Sequence, residues 1–186
     1  MNVRLEPYRV HPLVLPDTVR REDLGAAAWW ALLHDGVVRR LWGDVAIAAD
    51  LVDTPALRAV GLASLVPARG VVGRQSAVWL HTGQFSPRRV DVLVTAGGRR
   101  ADPHPLRTTA ESGFGPGDIV RLGEVRATTV QRTGVDVCRN LPADEAVPML
   151  EALRSVGFDV GTAIEQLKRL GGHRGVQRAR DVLSSL

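Results

Sequence analysis

The chain has 186 residues, 24 basic and 20 acidic side chains for a net charge of +4, and 45% hydrophobic content. That length suits one or two compact domains, and the apolar share is ordinary for a globular protein. No apolar run reaches the roughly 18 residues of a membrane span, the N-terminus lacks an apolar signal core, and the single cysteine excludes an internal disulfide and a cysteine-based zinc site.

A cytoplasmic protein with no membrane association is therefore expected. The basic excess is spread along the chain, and Lys168 is its one lysine. Arginine forks suit carboxylates and phosphates, so the charge permits DNA or an acidic protein partner without choosing between them.

Residues 1–21, with Pro7, Pro12 and Pro16, read as an irregular or extended lead-in. Residues 22–34 read as a helix: Glu22 and Asp23 favour its positive end and Asp35-Gly36 stops it. Leu24, Ala28, Ala31 and Leu32 lie near one face, which Trp29 and Trp30 cannot both share. Val37–Trp42 and Val45–Ala48 flank Gly43-Asp44 and read as a hairpin. A helix followed by a basic hairpin resembles the end of a winged helix-turn-helix, with Arg39 and Arg40 as DNA-binding candidates. The proline-rich lead-in is a poor source of the motif's earlier helices, which makes it degenerate.

Thr54 and Pro55 predict an N-cap and first helical residue for a helix over 54–65. A second helix covers about 73–82 and ends at Gly83. Alternation over 89–95 predicts a strand, Gly97-Gly98 a turn, and Pro103 and Pro105 restrict a strand near 105–110 to a sheet edge. Residues 118–122 and 125–129 read as short strands around Gly123. Thr128 with Gln131 has the pattern of a capping box. The helix it opens lines Val130, Gly134, Val137, Cys138 and Leu141 on one face, and Cys138 reads as a small buried hydrophobe. Three more helices follow: one over 143–157 burying Val147, Leu150 and Leu153 with Pro148 near its start, one carrying Ala163, Ile164, Leu167 and Leu170, and one carrying Val176, Ala179, Leu183 and Leu186. The fold class is α+β: a degenerate winged-helix-like N-terminal part over 1–52, then over 53–186 a small mixed β-sheet with a C-terminal helical bundle.

Arg132, Asp136 and Arg139 fall at i, i+4 and i+7, one carboxylate between two guanidinium groups on the face opposite the apolar one. They form either a phosphate clamp or partner-docking site, or an intrahelical ion-pair ladder. Arg174 and Arg178, expected to share a face with glycines before them, offer a contact for phosphate, nucleic acid or an acidic partner, or a solvated basic face. Arg99 and Arg100 on the glycine turn, with Arg88 and Arg89 at the strand's other end, make a basic β-edge able to touch DNA phosphates. Ser76, His81 and Asp91 suggest a hydrolase triad only loosely, because Ser76 lacks the G-x-S-x-G elbow. His104 and His173 lack metal-ligand spacing, and no metal site is expected. No P-loop or protein-kinase signature occurs.

Three blocks, Gly73–His81, Arg132–Arg139 and Gly172–Arg180, resemble in that order the "S-A-A-x-L-H-G", "R-T-x-x-D-L-A-R" and "G-R-R-G-x-x-R-A-R" helices of the AbiEi family of antitoxins, actinobacterial style. The resemblance covers residues 65–186 and, more faintly, the hairpin. It implies an antitoxin that neutralises a cognate nucleotidyltransferase-like toxin, for which Arg132, Asp136, Arg139, Arg174 and Arg178 are the toxin- or phosphate-binding candidates. It leaves two alternatives: an atypical serine kinase that phosphorylates the toxin, which would need ATP and magnesium, and a repressor that binds operator DNA.

Overall fold

A computed structural model describes residues 16–95, 97, 102–170, 172, 174–184 and 186. Most of the expected lead-in, the DNA-binding candidates Arg99 and Arg100, and His173 lie outside the described residues. The fold is α+β, with a three-stranded and a five-stranded sheet and seven α-helices among the described residues. The chain divides into two compact units, Met1–Leu51 and Val52–Leu186.

In the first unit, β1 (Thr18–Arg20) precedes α1 (Arg21–His34), β2 (Val38–Trp42) and β3 (Val45–Ala48). The hairpin forms as expected, with Arg40 opposite Ala46 and a bulge between Arg40 and Trp42. Of the two readings of the lead-in, its end takes the extended one: Thr18–Arg20 pairs antiparallel with Val45–Ile47, giving the order β1-β3-β2. Alternation in Thr18-Val19-Arg20 explains this, because only Val19 turns inward, to 6% exposure. Helix α1 is interrupted at Gly25, whose φ of 75° and ψ of 161° are non-helical and available to glycine at low cost. The two tryptophans part as expected. Trp29 is fully buried with Val19, Val38 and Ala46, while Trp30 is 53% exposed.

The second unit opens with α2 (Pro55–Leu62), where the Thr54 hydroxyl accepts from the Leu57 N–H at 3.3 Å. A 3-10 turn, Ala63–Leu65, leads to β4 (Val71–Val72) and α3 (Arg74–Thr82). Gly83 ends α3 in the left-handed conformation, φ 75°, and donates its N–H to the Trp79 carbonyl. Arg58, 5% exposed, reinforces that end: its guanidinium donates to the Leu80 and His81 carbonyls and pairs with Asp53 at 2.9 Å. Strands β5 (Val90–Thr95), β6 (Arg107–Ser112), β7 (Ile119–Leu122) and β8 (Val125–Thr128) complete a mixed sheet of order β6-β5-β4-β8-β7. β4 pairs antiparallel with β5 and parallel with β8, and β6 is a parallel edge strand on β5. β6 lies at the edge as expected from the sequence, although it begins at Arg107, beyond Pro103 and Pro105.

Helices α4 (Val130–Asn140), α5 (Ala143–Arg154), α6 (Val160–Arg169) and α7 (Val176–Ser184) form the C-terminal bundle. With α3 they enclose one core that includes Val78, Val137, Cys138, Leu150, Leu153 and Leu167. Helix α5 continues through Pro148.

Two local expectations fail. The capping box does not form: Thr129, one residue later, is the N-cap and accepts from the Arg132 N–H. The Thr128 hydroxyl is buried against that of Thr133 at 2.7 Å, and Gln131 bonds both backbone polar groups of Asp159. A tertiary contact has won over a local one. Ile164 is 37% exposed rather than buried, because α6 turns Ala163 and Leu167 into the core.

Candidate functional site

A cavity of about 630 Å³ lies in the second unit between the loop after β6 and helices α3, α4 and α6. Helix α4 supplies Arg132, Val135, Asp136, Arg139 and Asn140 to its wall. Thus the sequence trio Arg132, Asp136 and Arg139 comes together at one place. The face expected opposite the apolar one lines a pocket and is itself partly buried: Asp136 is 5% exposed. The apolar stripe of α4 is wide, since Val135 is also buried at 2%.

Arg132 is consumed internally. Its Nε donates to Asp136 Oδ2 at 3.0 Å, Nη1 to Asp118 Oδ2 at 2.5 Å and to the Gly113 carbonyl at 3.1 Å, and Nη2 to Ser112 Oγ at 2.9 Å. The guanidinium also sits over the Phe114 ring, 5.6 Å from its centroid. Asp118 Oδ2 accepts the Gly115 N–H as well, so one side chain fastens the whole loop 112–118 to α4. Burial alone would lower the Arg132 pKa, but Asp136 and then Asp118 outweigh it and hold it above its ordinary value. Burial pushes the Asp136 carboxyl above its usual range, and Arg132 offsets this only in part.

Arg139 does not close a ladder with Asp136. Its Nε and Nη2 donate to the Arg174 carbonyl at 3.3 and 3.0 Å, tying α4 to the turn before α7. Arg174 lies in that turn, two residues ahead of the helix, and so does not share a helical face with Arg178. Both are exposed and neither lines the cavity.

Arg74, from the first residue of α3, and Arg169, from the last of α6, also line the cavity. Sequence reasoning singled out neither. Arg74 stood inside a quoted block, and Arg169 follows Lys168 in what looked like a helix terminus. Arg74 has a φ of 52°, a left-handed conformation that costs a residue with a Cβ about 1–2 kcal/mol. Among the described residues, Arg74, Arg139 and Arg169 form no ion pair with a carboxylate. The lining is completed by Leu93, Phe114 and Leu170 on the apolar side and Glu111 and Gln166 on the polar one.

The remaining candidates are dispersed. Arg39 and Arg40 are consecutive in β2 and point to opposite faces. Arg39 donates to the Leu51 carbonyl at 3.1 Å, and Arg40 lies over the Trp29 and Trp30 rings. The loose triad is not assembled. Ser76 Oγ accepts the Asp91 N–H at 2.8 Å, while His81 Nε2 donates to the Thr128 carbonyl at 2.7 Å. Burial lowers the His81 pKa, the Thr128 bond opposes this, and Arg58 adds to it. Cys138 is fully buried and its thiol is pushed up to about 12 by desolvation, so it is an inert hydrophobe at neutral pH. Among the described residues no group of three metal-ligating side chains occurs, and no helix is long and apolar enough to cross a membrane.

No family model and no curated protein matches the chain. It is similar to the crystal structure of the RV2827C protein from Mycobacterium tuberculosis, at 16% identity and a TM-score of 0.48, over 91% of this chain and 72% of that one.

Proposed function

We propose that the chain is an antitoxin of the AbiEi type that acts in the cytoplasm by binding a cognate nucleotidyltransferase-like toxin. The supporting observation is the convergence of the three quoted blocks. They form α3, α4 and α7, and α4 packs against both of the others. The second and third blocks meet at a glycine, since a Cβ at Gly175 would overlap the Arg139 carbonyl, and Gly73 and Gly134 likewise admit Leu93 of β5 and the Phe158 ring at close range. Widely separated blocks that resemble one family's helices are thereby parts of one packed unit.

Binding is the mechanism that fits the disposition of the arginines. Of Arg132, Asp136 and Arg139, which a kinase would use for triphosphate and for magnesium or the hydroxyl proton, the first two are spent on each other and on loop 112–118. Arg39 and Arg40 face opposite ways, which weakens the operator-DNA reading. Arg174 and Arg178 are exposed and available to an acidic partner surface. A specific complex of this kind buries about 1,200–2,000 Å².

The test is co-expression with the product of the adjacent reading frame, followed by gel filtration of the mixture. A stable complex and restored growth are expected, and the double variant Arg174→Glu/Arg178→Glu is expected to weaken both. A neighbour whose catalytic activity is untouched by an equimolar amount of the folded chain would end the proposal.

A further inference from the structure

The cavity is not explained by toxin binding, and its chemistry is specific. Its volume of about 630 Å³ falls within the 300–1,000 Å³ typical of small-molecule sites. Three arginines line it from three separate helices: Arg74 at the start of α3, Arg139 at the end of α4, whose Nη1 is not used in the bonds to Arg174, and Arg169 at the end of α6. Three carboxylates share the lining with them: Asp118 and Asp136 are paired with Arg132, and Asp136 also attracts Arg139 and Arg74 at longer range, so together with Glu111 these acids balance the four arginines only in part. Arginines brought together in a partly enclosed space repel one another unless an anion is shared between them. Forks arriving from different directions match the several oxygens of a tetrahedral phosphate better than the plane of a single carboxylate. The space exceeds what inorganic phosphate fills, and Leu93, Phe114 and Leu170 give the remainder an apolar wall.

We propose that this cavity binds a phosphate monoester with an aromatic or apolar body, the phosphate held by Arg74, Arg139 and Arg169 and the body lying on Leu93, Phe114 and Leu170. Arg132 does not touch the ligand. It is a positioning residue that holds the Phe114 loop in place as one wall. The inference does not depend on the toxin reading, since it concerns a site built within a single chain.

The experiment is calorimetric titration of the full chain with adenosine monophosphate, adenosine and inorganic phosphate, alongside amide chemical-shift mapping. Saturable binding of the monophosphate is expected, tighter than that of either fragment by at least about tenfold, the loss of one or more charge-assisted bonds or of the apolar contact. Shifts should centre on residues 113–115 and 139–140. Arg74→Asn, which suits the positive φ, and Arg169→Gln should each weaken binding by about tenfold, and Arg174→Gln, outside the cavity, should not. The mapping covers the case of a variant that folds poorly, because it needs only the natural chain. No saturable binding at millimolar concentration, equal affinity for inorganic phosphate, or shifts centred elsewhere would overturn the proposal.

Discussion

Replacing Arg132 with methionine tests the physical account of the site most directly. The change keeps much of the side chain's length and removes four hydrogen bonds, those to Asp136, Asp118, Gly113 and Ser112. The side chains of Arg132 and Asp136 are 15% and 7% exposed, so water does not replace the lost partner at Asp136. Removing one member of a buried ion pair typically costs about 3–5 kcal/mol. With Asp118 able to turn toward solvent, the expected loss lies at the lower end, about 3 kcal/mol, or a fall in Tm of roughly 6–12 °C.

The sign of the pH effect is also set. Asp136 already has a folded pKa above its ordinary value of 3.8, and losing Arg132 raises it further. Such a group favours the folded state most below its unfolded pKa, and that contribution is lost as pH rises through the folded pKa. The deficit of the variant relative to the natural chain should therefore be full at pH 7 and shrink toward pH 4. Adding Asp136→Leu should recover part of it, as a double-mutant cycle would show. A denaturant titration at pH 7 giving a loss under about 0.5 kcal/mol, within the range of ordinary surface substitutions, or a deficit that grows on acidification, would refute the reasoning.

Three other substitutions probe separate parts of the molecule. Gly134→Ala drives a methyl group into the Phe158 ring and should lower stability by about 1–3 kcal/mol in chemical denaturation, with Phe158→Leu in the same chain restoring part of it. Asp159, the exposed N-cap of α6, has its pKa lowered by its bonds to the Thr162 backbone, so its contribution is present above pH 3.8 and is lost as pH falls through the folded value. Thermal scans of Asp159→Ala should show a lower Tm at pH 7 and no difference from the natural chain well below pH 3.8. Cys138, with its thiol at about 12, should resist a thiol reagent at pH 8 in the native state and react stoichiometrically in denaturant.

Most helices and the larger strands follow from local signals. Thr54-Pro55 starts α2, Gly83 ends α3, and the Gly43-Asp44 and Gly123 turns lie where the composition places them. What escaped was nonlocal. β4 is two residues long and has no pattern of its own, so it exists only because β5 and β8 flank it. Thr18–Arg20 was masked by the prolines before it and becomes a strand by pairing with residues 45–47. Of the candidate site, spacing on α4 placed Arg132, Asp136 and Arg139 together correctly but not what they do. The partner that redirects Arg132 is Asp118, fourteen residues earlier, and the partner that redirects Arg139 is a backbone carbonyl at Arg174. Arg74 and Arg169 had no signal, because nothing in a one-dimensional chain tells that the start of one helix and the end of another face a common space.

The position of β4 also constrains how the chain is made. Val71 and Val72, 2% and 0% exposed in the finished sheet, sit between a strand that follows within about twenty residues and one that emerges only at 125–128. During synthesis, once β5 has emerged to cover one flank of this dipeptide, the other stays uncovered until β8 follows about thirty residues later, at roughly 5–20 residues per second. A nascent polypeptide that pairs β4 with β5 first carries a half-built sheet with an open apolar edge for roughly 2–6 seconds. Its vulnerability to aggregation is concentrated in that interval, and it closes when β8 arrives with α4 directly behind it.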